Sequence, residues 1–183
     1  DVSLIRDTIH DTEYKDTAVM IDDYITVMDT VPNKKEAIKN YSTSIINTEN
    51  IKPTEVLEYA KTLIGVPYLY ASTDPAKGFD CSGFITNIFN HFNITVPRSS
   101  VDFTNVGVEI SEDAAAPGDL ILFTGTDSTI KIVGHMGLVE SRSNGQLSFI
   151  HSSSGKANGV VITPLEKYYR RRFVTFIRIF PEN

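Results

Sequence analysis

Among its 183 residues the chain has a single cysteine, Cys81, no tryptophan and only four histidines. One thiol excludes any intramolecular disulfide framework and the paired Cys-x-x-Cys ligands of structural zinc sites. No apolar run approaches the ~18 residues that span a bilayer, so no integral membrane segment is expected. The chain opens Asp1-Val2-Ser3, without the charged and apolar regions of a secretion signal; a signal or lipid anchor removed earlier is compatible with that start. Positive charge is short as well: 17 Lys and Arg stand against 23 Asp and Glu, a net charge of −6. Such a field repels polyanions and argues against binding nucleic acid. There is no G-x-G-x-x-G, Walker loop or H-E-x-x-H, and no cofactor or metal is expected.

What is present reads as one globular core with a small appendage: 41% of residues are hydrophobic, 22% are charged, and the 11 Gly and 8 Pro are scattered. Residues 1–50 are polar and weakly patterned and are read as a helical appendage. Helices are expected around Lys15–Met28 and Lys34–Asn47, the second with Ala37, Ile38, Tyr41 and Ile45 on one face. Residues 51–183 are expected to form the main domain. There Val56, Leu57, Ala60, Leu63 and Ile64 recur at helical spacing between Pro53 and Gly65, the latter a natural C′ residue. A loop from Val66 to Phe79 follows, then an amphipathic helix from Cys81 to His91 that buries Phe84, Ile85, Ile88 and Phe89.

The period then changes. Asp119–Phe123, His135–Glu140, Leu147–Ser152, Gly159–Thr163 and Phe173–Phe180 are short apolar and β-branched runs separated by turn residues such as Asn144-Gly145. Helices followed by strands predict an α+β domain, with helices packed on an antiparallel sheet of about five to six strands. The run Lys167–Arg172 reads as a solvated entrance to the last strand or a contact for acidic polymer.

The chemistry centres on Cys81. Asp80 is a suitable N-cap, which puts Cys81 at the first helical position, where unpaired N–H groups and the helix dipole predict a lowered thiol pKa. Cysteine nucleophiles need a base within hydrogen-bond reach and a third group that fixes the base's tautomer. His91 lies ten residues along the same helix, roughly 15 Å away at ~1.5 Å per residue. His10 belongs to the appendage. His135 opens one expected strand and His151 closes the next. A hairpin at Asn144-Gly145 could bring their imidazoles together, giving Cys81 as nucleophile, His135 as base and His151 as orienter. A buried structural cysteine with two boundary histidines is the competing reading of the same spacing.

Six blocks run in order: Gly65-Val66-Pro67-Tyr68, Asp80-Cys81-Ser82-Gly83-Phe84, Val96-Pro97-Arg98-Ser99-Ser100, Pro117-Gly118-Asp119-Leu120, Gly134-His135-Met136-Gly137 and Phe149-Ile150-His151. Together, over about Pro53 to Phe180, they resemble the NlpC family of bacterial cell-wall cysteine peptidases, a circularly permuted papain-like group. That resemblance implies Cys81, His135 and His151 as the catalytic set. The implied substrate is the peptidoglycan stem peptide or a muropeptide, cut between γ-D-glutamyl and a diamino acid. It implies that Tyr68 places its hydroxyl beside the nucleophile and that Asp80 and Ser82 bind the substrate's N-terminal side. Arg98 and Ser99 would line the cleft, Arg98 meeting a stem-peptide carboxylate. It also implies a location outside the cytoplasm, in the periplasm or cell envelope. A monomer is expected.

Two departures stand out. Leu69-Tyr70-Ala71-Ser72-Thr73 lacks the aromatic-Gly-Gly run frequent in that family, and the first 50 residues lack the pattern of an SH3-like wall-binding domain. Other readings of the same residues are an acyltransferase or lipid hydrolase on this scaffold, a silent stem-peptide binding module, and a zinc site of Cys81, His135 and His151.

Overall fold

The computed structural model of the chain describes residues 46–180. His10 and the helix expected around Lys15–Met28 fall outside that range, as does most of the helix expected over Lys34–Asn47; its last two residues, Ile46 and Asn47, are described and are not helical.

Helix α1 (Pro53–Thr62) starts with proline at a position whose N–H would be unpaired anyway, while the Glu55 carboxylate accepts the Lys52 N–H at 2.9 Å. It buries Val56, Leu57 and Ala60 and ends two residues before the expected Ile64. The chain turns away through Gly65, whose N–H donates to the Val160 carbonyl at 2.9 Å. The segment expected as a plain loop contains a small antiparallel pair, β1 (Thr73–Asp74) and β2 (Gly78–Phe79). Helix α2 (Cys81–His91) has the expected limits and buries Phe84, Ile85, Ile88 and Phe89.

After a single 3-10 turn at Asp102–Asn105 come β3 (Val108–Ile110), β4 (Leu120–Thr124), β5 (Val133–Ser143), β6 (Gln146–Ser153) and β7 (Gly159–Pro164). A short helix α3 (Lys167–Arg172) then leads into β8 (Phe173–Arg178). The six-stranded antiparallel sheet has the order β3-β8-β4-β5-β6-β7. Strands β4 to β7 form a meander, and α3 carries the chain back so that β8 pairs with the free side of β4. The β5–β6 turn is the expected Asn144-Gly145, both residues at positive φ (50° and 78°), which matches the twist of a two-residue hairpin.

Alternation along the strands divides the interior in two. Leu120, Leu122, Met136, Leu138 and Ile150 pack with α1 and α2, joined by Ile46 from the segment before α1. Ile121, Phe123, Val139, Phe149 and Phe176 form a second cluster, against which Tyr169 of α3 and Phe173 pack. Fully burying side chains of this size stabilises the fold by about 1.5–3 kcal/mol each. The domain is therefore α+β, as expected, with the unanticipated α3 on the second cluster.

Candidate active site

Asp80 caps α2: its Oδ1 accepts the Gly83 N–H at 2.6 Å. Gly83 is required by contact, since a Cβ there would lie 2.1 Å from the Ser72 carbonyl oxygen. The helix start is thus pressed against the preceding loop, and Cys81 projects from it half-buried. The thiol's hydrogen-bond partner is the Gly134 carbonyl at 3.9 Å, one residue before His135. Burial pushes the thiol pKa up, and the Asp80 carboxylate adds to the rise; the backbone N–H groups of Ser82, Cys81 and Met136 oppose both. The lowered thiol pKa expected from position alone is corrected here: desolvation and a neighbouring anion outweigh the helix terminus.

The two strand histidines meet. His135 Nε2 lies 2.9 Å from His151 Nδ1, with the rings nearly perpendicular at 82°. The β5–β6 register pairs Val139 with Phe149, and the imidazoles lie diagonally across the same face. Gly137 makes the contact possible, because a Cβ there would fall 2.9 Å from the Phe149 ring and 3.1 Å from the His151 Cβ. His151 is fully buried and His135 nearly so. The other nitrogen of His151, Nε2, lies 3.0 Å from the Thr163 hydroxyl of β7. With Nε2 of His135 facing His151, Nδ1 is its other ring nitrogen and is not engaged by His151.

Aromatic rings enclose the pair. Tyr169 of α3 stacks on His135 at 6.0 Å and meets His151 edge-on at 5.3 Å; Phe123 and Phe149 complete the wall. Behind Tyr169 the Arg172 guanidinium donates to the Thr124 and Gly125 carbonyls, both at 2.8 Å, and to the Tyr168 hydroxyl at 2.8 Å. Its cation lies 5.8 Å from the centre of the Tyr169 ring. Burial holds His135 well below its usual pKa, and His151 and Arg172 push the same way. Burial, then Arg172, brings His151 to about 3. Both imidazoles are neutral at physiological pH.

The remaining expected residues form a charged rim at the start of α2. Arg98 is bidentate on Asp80, with Nη1 to Oδ1 at 3.0 Å and Nη2 to Oδ2 at 2.5 Å, and Nη1 also donates to Ser82 Oγ at 2.9 Å. The guanidinium expected to await a substrate carboxylate is therefore satisfied by Asp80. Tyr68 is half-buried; burial raises its phenol pKa, and the charges of Cys81, Asp80 and Tyr70 raise it further. Ser99 is exposed and, among the described hydrogen bonds, enters only through its carbonyl, which accepts the Asp102 N–H at 3.1 Å. His91 stacks on Tyr59 at the far end of α2, with ring centroids 3.7 Å apart.

A zinc site would need the lone pairs of Cys81, His135 and His151 to converge, whereas the imidazoles point their facing nitrogens at each other. Among the described residues no group of three His, Cys, Asp or Glu side chains is arranged to hold a metal. Sequence reasoning missed Thr163, Tyr169 and Arg172. Thr163 shares a strand face with Val161, which pairs with His151, a relation that comes from the β6–β7 register.

Comparison with known proteins points to one family. The NlpC/P60 family model matches residues 65–178. Gamma-DL-glutamyl hydrolase of Bacillus subtilis (strain 168) is 32% identical over 126 residues, 68% of this chain and 29% of that protein. The bifunctional muramidase/DL-endopeptidase CwlT of the same strain is 31% identical over 140 residues, 72% of this chain and 40% of that protein. A crystal structure of an NlpC/P60 family protein from Bacillus cereus ATCC 10987 superposes with a TM-score of 0.63 at 30% identity, covering 72% of this chain and 41% of that one. The chain thus spans less than half the length of these relatives.

Proposed function

The chain belongs to the NlpC/P60 family, and from that premise we propose that it is a cysteine endopeptidase of the bacterial cell wall. It hydrolyses the γ-D-glutamyl-diamino acid amide of peptidoglycan stem peptides or muropeptides, outside the cytoplasm. The reading is supported most by one observation, the His135–His151 contact at 2.9 Å immediately beside the backbone that receives the Cys81 sulfur. The names of the γ-DL-glutamyl hydrolase and the DL-endopeptidase support the bond and substrate class.

In the reaction, Cys81 Sγ attacks the amide carbonyl carbon as His135 Nδ1 takes the thiol proton. His135 gives that proton to the leaving amine, and the γ-glutamyl carbonyl remains on sulfur as a thioester. Water then attacks the thioester, His135 takes its proton, and the thiol is regenerated as the carboxylate departs. His151 orients His135. The Cys81 N–H donates to the oxyanion, an interaction of roughly 2.7–4 kcal/mol where such donors have been removed. Burial favours the neutral forms of both the Cys81 thiol and the His135 imidazole before substrate binds. Asp80, Ser82, Arg98 and Tyr68 wall the subsite on the substrate's N-terminal side, with Ser99 at its outer edge; Asp80 and Ser82 face a free amine there.

Incubation with muropeptides, followed by mass spectrometry of the products, tests this. The expected products carry a new α-amine on the diamino acid and a new γ-carboxyl on D-glutamate. Intact muropeptides together with cleaved acyl-lipid substrates would instead make the protein a lipid hydrolase.

A further inference from the structure

We propose that Thr163 is a positioning residue of this site: its hydroxyl accepts the His151 Nε2 proton and so fixes which nitrogen of His135 is left bare for the thiol. The inference deepens the peptidase reading and rests on it for the identity of the base. Its ground is the continuous contact from Thr163 Oγ1 to His151 Nε2 at 3.0 Å and from His151 Nδ1 to His135 Nε2 at 2.9 Å.

A neutral imidazole has one N–H and one bare nitrogen, and two proton orders satisfy both contacts. In one order, His135 Nε2–H donates to His151 Nδ1, and His151 Nε2–H donates to Thr163. His135 Nδ1 is then bare and can take the thiol proton. In the other order Thr163 donates to His151 Nε2, His151 Nδ1–H donates to His135 Nε2, and the His135 proton sits on Nδ1, where it blocks the base. Only the first order serves catalysis.

The placement of Thr163 follows from register. Phe149 pairs with Thr163 and His151 with Val161, so Thr163 is the diagonal neighbour of His151 on the imidazole face. Because His151 is fully buried, water cannot take over the hydroxyl's part. With a valine at this position, a proton on His151 Nε2 is left buried and unpaired. Moving the proton to Nδ1 keeps the His135 contact and leaves a bare Nε2 in its place; an orphaned acceptor is tolerated better than an orphaned N–H, so the valine variant favours the blocked order.

The test combines Thr163→Val and Thr163→Ser with histidine-labelled nitrogen NMR and steady-state kinetics. Protonated and bare ring nitrogens differ widely in 15N shift, and this readout needs no substrate. Wild type and Thr163→Ser are expected to hold the His151 proton on Nε2, and Thr163→Val on Nδ1. On a γ-D-glutamyl-diamino acid peptide, kcat of Thr163→Val should fall about tenfold or more with KM little changed, and Thr163→Ser should restore it. A His151 Nδ1 proton in the wild type overturns the inference without any variant having to fold. So does an unmoved His151 proton in a folded Thr163→Val, or wild-type kcat in that variant. Inactivity of the wild type on the peptide would count against the peptidase reading and leave the tautomer result to stand on its own.

Discussion

Cys81 and the His135–His151 pair occupy opposite kinds of surroundings. The start of α2 is a charged cluster in which buried Asp80 and Ser82 are locked to the more exposed Arg98 by charge-assisted bonds. A few residues away, the His135–His151 pair lies among Phe123, Phe149 and Tyr169. The paired charges there fix the start of α2, while the Asp80 anion still bears on the Cys81 thiol. The interior keeps its imidazoles neutral by excluding water and by placing the Arg172 cation behind them. The start of α2 is thus ordered by paired charges, and the histidine pair is kept neutral by burial.

The contrast can be broken most severely from the interior. Arg172→Met removes a buried guanidinium and leaves the Thr124 and Gly125 carbonyls short of a donor; a loss of about 1–3 kcal/mol per orphaned group is expected in chemical denaturation. In the same variant the acidic limb of the pH-rate profile should move to higher pH, because the cation that disfavours imidazolium is gone.

A milder effect comes from pH alone. His135 and His151 have depressed pKa values in the folded protein, so the unfolded chain binds protons first as pH falls. Their contribution to stability is complete above about pH 6.5 and declines below it, for His151 until about pH 3. Denaturation midpoints measured between pH 8 and 4 should fall towards acid, and a flat profile would show that the pair is not buried as described.

The rim gives the smallest change. Asp80→Asn keeps an oxygen to cap α2 but removes the anion that raises the thiol pKa, and it leaves the Arg98 cation in place. The pH profile of Cys81 alkylation should shift to lower pH, with some loss of stability from the broken Arg98 pair. A shift to higher pH would mean that Asp80 acts on the sulfur through packing and not through its charge.

These contrasts also explain what could be read from the chain alone. The Asp80 cap and the Cys81–His91 helix follow from residues a few positions apart, and the Asn144-Gly145 turn placed His135 and His151 on neighbouring strands. Helix α3 was hidden because Lys167–Arg172 has six residues, half of them arginine, and too little length for an apolar period. β3, mostly exposed at the sheet edge, has three residues and no internal alternation to read. The direction of the Cys81 shift was misjudged because the helix terminus is local in sequence while burial depends on the whole fold. Thr163 becomes visible only once the β6–β7 register is known.

The most direct test of the account is to acid-quench the protein during turnover of a γ-D-glutamyl-diamino acid peptide and map any covalent adduct by mass spectrometry. The account predicts a mass increase equal to the γ-glutamyl acyl fragment, on the peptide containing Cys81, and no turnover in a folded Cys81→Ala variant. Turnover by Cys81→Ala, or an acyl fragment carried on any other residue, would contradict it.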